Sequence, residues 1–284
     1  MVKVPFPSPW LKEAGESEEH FVDRFFAAFK LPFETYLPAD EVAVILVEPI
    51  QGDGGIAMMP PAFMTKIYQF AKAHGILFAI DEINQGLGRT GKWWSIQHFP
   101  GIEPDLMSVG KSLASGLPLS AVIGRRAVME ALGAPAHLFT TAGNPVTTAA
   151  ALATLNVIEE EDLVARSARL GEEARQFFTA AQAKYDFIGD VRMYGLNGGI
   201  DIVDPQTGQP DPTATTKLIY RVFELGALII SLRGNILRFQ PPLVITEDQL
   251  AQAFAIFTQA FDELAANKLA LPAGADQIGW QAKN

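Results

Sequence analysis

A lysine and an aspartate each follow an apolar run that predicts a β-strand. Lys111 lies in SVGKSL, one glycine after the run LMSV, and Asp81 directly follows the earlier run LFAI. A lysine amine can form a Schiff base with an aldehyde, and a carboxylate can hold the proton on a pyridine nitrogen. At the ends of neighbouring strands, this pair indicates an enzyme that uses pyridoxal 5'-phosphate (PLP). The alternatives are a surface lysine and an aspartate that accepts hydrogen bonds from backbone amides.

Two more acids follow another apolar run. Glu48 and Asp53 lie in EPIQGDGG, after VAVILV. Ligands of α/β sheets bind at the carboxyl ends of strands, so both acids are candidate site residues. Solvated acids at a junction between strand and loop are the alternative.

Two polar residues later in the chain are candidate ligand contacts. Thr140 lies in FTTAGNP, just before a predicted helix, where hydroxyls and free N–H groups suit a phosphate. Arg238 lies among apolar residues in ILRFQPP, and its guanidinium could grip a substrate carboxylate bidentately. An ordinary helix N-cap and an internal salt bridge are the respective alternatives.

The alternation of apolar runs and helical patterns predicts an α/β fold with a mostly parallel sheet. Strands are predicted at 42–47, 76–80, 106–109 and 119–123, and helices at 20–33, 60–74, from 144 onward and at 161–184. The run at 42–47 is continuous, which predicts burial on both faces, and the alanines after Pro145 predict an interior helix. We expect a large domain at 1–164 and a smaller α+β domain at 165–284. In the latter, strands are predicted at 188–193, 199–203, 227–231 and 236–239, and helices at 212–225 and 247–266.

Composition limits the classes of function. The chain has 284 residues, a formal net charge of −10 and no cysteine. The acidic balance argues against nucleic acid or anionic membranes as partners, and disulfides and thiolate metal sites are excluded. Four histidines argue against a zinc centre, so no metal is expected. No apolar run approaches the roughly 20 residues that span a bilayer, and the first residues lack the pattern of a signal peptide. These features predict a cytoplasmic protein.

Five segments in order resemble the class III aminotransferase family of fold-type I PLP enzymes. They are EPIQGDGG, AIDE with GLGRTGK, EPDLMSVGKSLASGLPLSAVIGR, TTAGNP and LRFQPPL, and the resemblance covers essentially the whole chain. It implies that Lys111 is the Schiff-base lysine and that Asp81 is the partner of the pyridine nitrogen. It also implies Thr140 as a phosphate ligand donated across a dimer interface. Arg238 would grip the substrate carboxylate, with Glu48 also on the substrate side.

Two departures from the family pattern point to its racemase and 2-epimerase branch. Asn84 stands where the family usually has the glutamine that touches the cofactor ring, and Asp53 stands where many transaminases have glutamate. In that branch the aspartate is implied as the acid–base group opposite the lysine. The resemblance therefore favours a racemase or 2-epimerase of branched-chain amino acids, acting as a homodimer or higher homo-oligomer. A transaminase of the 4-aminobutyrate or ω-amino acid type is the alternative.

A third departure concerns an N-terminal region that family members carry before the first of these segments. That region supplies a phosphate-binding loop and an aromatic residue that stacks on the cofactor ring. The resemblance therefore implies an N-terminally truncated large domain. An inactive truncated subunit, or one half of a split enzyme whose partner is a separate N-terminal half, is the third reading.

Overall fold

The computed structural model describes residues 1–136 and 139–271. The chain divides into two compact units. The first comprises Met1–Gln51, Ala57–Leu87 and Trp93–Glu161, and the second comprises Gly52–Ile56, Gly88–Lys92 and Asp162–Asn284. Two short early segments, which the sequence places in the first predicted domain, therefore belong to the second compact unit.

The first unit is built on a four-stranded sheet with the order β1-β2-β3-β4. The strands are β1 (Val44–Val47), β2 (Leu77–Asp81), β3 (Leu106–Val109) and β4 (Ala121–Gly124). The first three are parallel, as the alternating pattern predicts, whereas β4 is antiparallel to β3. Parallel neighbours need a crossover of about a dozen residues or more. Because β4 follows β3 through a short connection, it returns antiparallel and the sheet is mixed.

Two of the four α-helices described in the first unit contribute its core. The helices are α1 (Glu18–Thr35), α2 (Pro61–Ala73), α3 (Arg126–Met129) and α4 (Pro145–Glu160). α1 begins after Ser17, whose hydroxyl accepts a hydrogen bond from the His20 N–H at 3.1 Å. Aromatic rings from α1, α2 and β2 form the buried cluster, which includes Phe21, Phe25, Phe29, Phe63 and Phe78.

Two predictions about burial in the first unit are wrong. β1 was expected to be buried on both faces, yet Leu46 is 61% exposed while its neighbour Ile45 packs against the core. Successive strand residues point to opposite faces, and the described elements of this unit cover only one of them. α4 was expected to be an interior helix, yet Ala149 and Ala153 are exposed and Ala151 is buried. The helix is covered along one stripe only.

The described part of the second unit has a smaller antiparallel sheet with three α-helices. Its elements are α5 (Leu163–Lys184), β5 (Ile188–Met193), β6 (Gly198–Ile202), α6 (Pro212–Glu224), β7 (Ile230–Leu232), β8 (Ile236–Phe239) and α7 (Glu247–Ala265). The strand order is β5-β6-β8-β7, and all neighbours are antiparallel. Phe178 of α5, Leu218 of α6 and Phe257 of α7 are buried in one core with the sheet. None of the described helices of either unit is long and apolar enough to cross a membrane.

Candidate active site

Lys111 begins a 3-10 turn, Lys111–Ala114, directly after β3 and Gly110. Its φ of 45° lies in the left-handed region, which costs roughly 1–3 kcal/mol for such a residue and persists only where the surroundings impose it. Leu113 anchors the turn, because its N–H donates to the Gly110 carbonyl at 3.0 Å and its side chain is buried. Lys111 itself is exposed. The exposure of Lys111 matches the surface lysine that the sequence analysis gave as the alternative.

Asp81 ends β2 opposite Ser108 of β3. It is half-buried, and its Oδ1 accepts a hydrogen bond from the Ile83 N–H at 2.9 Å. The alternative role, in which the aspartate accepts hydrogen bonds from backbone amides, therefore applies to Oδ1 of Asp81. Among the described residues, the buried Oγ of Ser108 has no hydrogen-bond partner. The carboxylate of Asp81 and the unused hydroxyl of Ser108 thus belong to paired residues at the ends of neighbouring strands. Ser108 lies three residues before Lys111 in the sequence.

The loop after Asp81 is held by a buried acid that the sequence analysis did not single out. Glu82 is 1% exposed and accepts hydrogen bonds from the N–H groups of Ser95 and Ile96 at 2.9 and 2.8 Å. Burial raises the pKa of the Glu82 carboxyl, and these hydrogen bonds oppose the rise. Asn84 lies half-buried in the same loop. Its predicted role beside a cofactor ring stays a prediction. The sequence signal for Glu82 is that it directly follows Asp81 at the end of the apolar run LFAI.

A groove of about 800 Å³ in the first unit brings Glu48 and Asp81 together along its lining. Glu48 is half-buried and follows β1 directly. Neither Lys111 nor Thr140 lines this groove. Thr140 is exposed in the turn before α4, and the helix is capped instead by Asn144, whose Oδ1 accepts from the Val146 N–H at 2.9 Å. The cap therefore leaves the threonine hydroxyl available for another role.

The second unit brings Asp53 and Arg238 together. Asp53 lies in the exposed part of the Gly52–Ile56 segment, and its Oδ1 is 3.8 Å from Nη1 of Arg238. Arg238 projects from β8, and 16% of its side chain is exposed. Burial lowers the pKa of Arg238, and the negative charge of Asp53 opposes this. Arg238 also donates to the side chain of Gln240. Arg238 thus forms the internal salt bridge that was named as its alternative role, and its partner is Asp53, itself a candidate site residue.

A second arginine near Arg238 was not foreseen. Arg89 comes from the Gly88–Lys92 segment and donates to the carbonyl oxygen of Leu196 at 3.1 Å and to that of Pro241. Burial and the neighbouring charge of Arg238 lower the pKa of Arg89 to about 10. Two adjacent cations with one carboxylate favour an anionic ligand at this position. The available signal was an arginine set among glycines in GLGRTGK.

The first unit fits the cofactor that the sequence resemblance implies. An amine just after β3, a carboxylate at the end of β2 and the hydroxyl of Ser108, which pairs with Asp81 and has no hydrogen-bond partner among the described residues, supply the donor set for a PLP ring and aldehyde. The described residues contain no cluster of three or more acids and histidines that could hold a metal ion.

Comparison with known proteins defines the family. Residues 1–261 match the model of the aminotransferase class-III family, and the chain belongs to that family. Its fold is the fold type I of class III transaminases, and the family is PLP-dependent. The ω-transaminase from Pseudomonas jessenii in complex with PMP has a TM-score of 0.85 and 31% identity, covering 93% of this chain and 61% of that chain.

The curated relatives include enzymes that act on the configuration of amino acids. Isoleucine 2-epimerase of Lentilactobacillus buchneri is 58% identical over 281 residues, which are 99% of this chain and 62% of that protein. Leucine/methionine racemase of Thermococcus litoralis is 38% identical over 278 residues, which are 98% of this chain and 62% of that protein. The chain therefore spans less than two thirds of the length of these relatives.

Proposed function

We propose that this protein is a PLP-dependent amino-acid racemase or 2-epimerase that acts at the Cα–H bond of a branched-chain amino acid. The observation that carries the proposal is the pairing of Asp53 with Arg238, at 3.8 Å in the second unit. A carboxylate placed beside the cation that would hold the substrate is suited to proton exchange at the neighbouring carbon. The similarity to an isoleucine 2-epimerase supports both the reaction and the substrate class.

The residues of the first unit would hold the cofactor. When bound, PLP supplies an electron sink for the negative charge that develops at Cα. Lys111 would hold the cofactor aldehyde through its amine, and the freed amine would remove a proton from one face of Cα. Asp81 would keep the ring nitrogen protonated with the carboxylate oxygen that Ile83 does not occupy. Asn84 would contact the ring, and Thr140, from a second subunit, the phosphate.

The residues of the second unit would bind and reprotonate the substrate. Arg238 would take the substrate carboxylate, with the charge of Arg89 reinforcing the positive potential there. Asp53 then loses its ion-pair partner and becomes available for proton exchange. Racemisation needs an acid–base group on each face of a planar carbon, and we assign these roles to Lys111 and Asp53. Glu48 completes the proposed substrate side.

The proposal also covers the oligomeric state, the cellular location and the substrate of the enzyme. We expect a homodimer or higher homo-oligomer in the cytoplasm, with a free amino acid as substrate. A transaminase is the second candidate, and the structural similarity to an ω-transaminase favours it. An inactive subunit, or half of a split enzyme that needs a separately encoded partner, is the third.

Product analysis separates these candidates. The protein is incubated with PLP and L-isoleucine, and in a parallel reaction with PLP, 4-aminobutyrate and 2-oxoglutarate as the amino acceptor, and the amino acids formed are resolved by chiral chromatography. A racemase or 2-epimerase converts L-isoleucine to D-allo-isoleucine. A transaminase of the ω-amino acid type transfers the amino group of 4-aminobutyrate to 2-oxoglutarate and gives glutamate, and the third candidate gives neither product.

Replacement of one acid tests the assigned roles. Asp53→Asn should reduce the interconversion of configurations about 10²–10⁴-fold, which is the usual contribution of a general acid or base. Exchange of the Cα hydrogen with D₂O under retention should continue, because Lys111 still acts from its own face. Asp186→Asn, at an exposed acid before β5, is the matched control. Racemisation by Asp53→Asn at the parent rate would remove Asp53 from the mechanism.

A further inference from the structure

The loop that carries Asp53 approaches a row of three paired residues in the second unit. Arg192 on β5 pairs with Gly199 on β6, and Gly199 pairs with Arg238 on β8. Directly paired residues project to the same face of a sheet, so both arginines rise on the same side, with the glycine between them. Arg238 contacts Asp53, and Arg192 contacts Gly55. Each arginine therefore holds a different part of one short loop.

The contact between Arg192 and Gly55 is double and shielded from water. Nε and Nη2 donate to the Gly55 carbonyl oxygen at 3.2 and 3.0 Å, and the arginine side chain is 5% exposed. The same guanidinium donates to Asp190 and Asp201. Burial opposes its charge, but the hydrogen bond to Asp201 and the charges of both aspartates raise the pKa of Arg192. The Arg192 guanidinium therefore stays charged. We call its double hydrogen bond to the Gly55 carbonyl the clamp, and charge-assisted bonds of this kind are stronger than neutral ones.

The backbone around the clamp is shaped to permit it. A β-carbon at Gly199 would lie 3.0 Å from the Gly55 carbonyl oxygen and 3.1 Å from Nη2 of Arg192. Any larger residue at this position would displace the loop or the guanidinium. Gly55 and Ile56 have φ values of 113° and 54°, and both of their N–H groups donate to the Gly52 carbonyl. The loop is thus held in an unusual conformation that needs outside contacts to persist.

We infer that Arg192 is a positioning residue that fixes Asp53 for proton transfer at the substrate Cα. The inference rests on the proposed function, because Asp53 has this task only in a racemase. When a substrate carboxylate occupies Arg238, Asp53 loses its own ion pair, whereas the Arg192–Gly55 contact remains. The loop then keeps its place. Misplacement of a reacting group by about 1 Å can cost on the order of 10² in rate, so the clamp is worth a measurable factor.

Hydrogen–deuterium exchange of the full chain tests the clamp without any activity. Arg192→Lys keeps a positive charge, but a single ammonium cannot reproduce the planar fork that reaches Gly55 and both aspartates. We expect amide exchange of Gly55 and Ile56 to rise about tenfold or more, because their bonds to Gly52 open more often. Gly199→Ala, which removes no charge, should do the same. Arg221→Lys on α6, whose partners are Glu224 and Glu263, is the matched control and should leave this exchange unchanged.

The ratio of two reactions tests the link to Asp53. In Arg192→Lys, racemisation should fall about 10- to 100-fold, while KM for the amino acid and Cα–H exchange with retention stay near the parent values. Lys111 and Arg238 are untouched, so a merely structural defect would lower both reactions together.

The outcomes are distinct. Unchanged amide exchange in both Arg192→Lys and Gly199→Ala overturns the clamp, and so does an equal fall of racemisation and of exchange with retention. If Arg192→Lys does not fold, Gly199→Ala decides alone. If the parent protein does not racemise, the proposed function fails, and the amide exchange still decides whether Arg192 holds the loop.

Discussion

The two sheets of this chain, one in each compact unit, differ in how far the described residues cover their apolar side chains. In the first sheet, the edge strands β1 and β4 expose four apolar residues by 42–61%, namely Val44, Leu46, Val122 and Ile123. In the second sheet, Ile188 and Met193 on the edge strand β5 are 4% and 9% exposed, and Ile230 on the edge strand β7 is 49% exposed. The described residues of the second unit therefore cover more of the apolar side chains at its sheet edges. The first presents apolar surface at both sheet edges, which is the kind of surface that proteins use for association.

The candidate site shows the same contrast. Lys111 lies on an exposed, strained turn of the first unit, and the hydroxyl of Ser108, three residues earlier, has no partner among the described residues. In the second unit, Arg192 donates twice to the carbonyl oxygen of Gly55, two residues after Asp53. Arg89 donates to the carbonyl oxygens of Leu196 and Pro241. The residues proposed to bind the substrate thus lie among backbone segments that arginines hold by hydrogen bonds, whereas the residues proposed to hold the cofactor have fewer such contacts among the described residues.

The largest effect that tests this contrast concerns Lys111. Borohydride reduction with PLP, followed by peptide mapping, should place the pyridoxyl label on the peptide that contains Lys111. Lys111→Arg should abolish this label, because a guanidinium does not form the reducible bond. Lys66→Arg, at a half-buried lysine of α2 that pairs with Asp23, should retain it. A label on another lysine in the parent protein would show that the strained turn is not the attachment point.

An intermediate effect is expected in the core of the second unit. Phe178 is 0% exposed and contacts the rings of Phe239 and Phe257 at 5.2 and 5.1 Å. Phe178→Ala should lower the free energy of unfolding by about 3–5 kcal/mol, through lost burial and the cavity that remains. Urea denaturation monitored by circular dichroism measures this change. A loss below about 1 kcal/mol would mean that this core is less complete than its burial indicates.

The smallest effect on stability, with a separate effect on association, is expected at the exposed sheet edges. Leu46→Ser and Val122→Ser should each change the free energy of unfolding by no more than about 0.5 kcal/mol. The same changes should weaken self-association in sedimentation velocity, because they make the exposed apolar surface polar. Leu228→Ser, at an 84% exposed leucine of the second unit, is the control and should leave association unchanged. A parent chain that sediments as a monomer at all concentrations would contradict the expectation.

Local pattern was sufficient for most of the elements. The predicted strands at 106–109, 188–193 and 236–239 have the observed bounds. Short apolar runs between glycines, prolines and charges determine such strands within a few residues of sequence. The same holds for the two residues that opened the sequence analysis. Lys111 follows β3 after one glycine and Asp81 is the last residue of β2, so their places at the carboxyl ends of these strands could be predicted from spacing alone.

Contacts between segments that are far apart in the sequence could not be predicted from the local residue pattern. The sequence contains no local signal that α4 is covered on one side only, or that 52–56 belongs with the unit whose longest segment begins at Asp162. The register that sets Arg192, Gly199 and Arg238 in one row depends on which strands become neighbours. Sequence by itself determined the elements and the reactive groups, because propensity and periodicity act between near neighbours. Only the tertiary structure decided which groups meet, because contacts between distant segments depend on the packing of the whole unit.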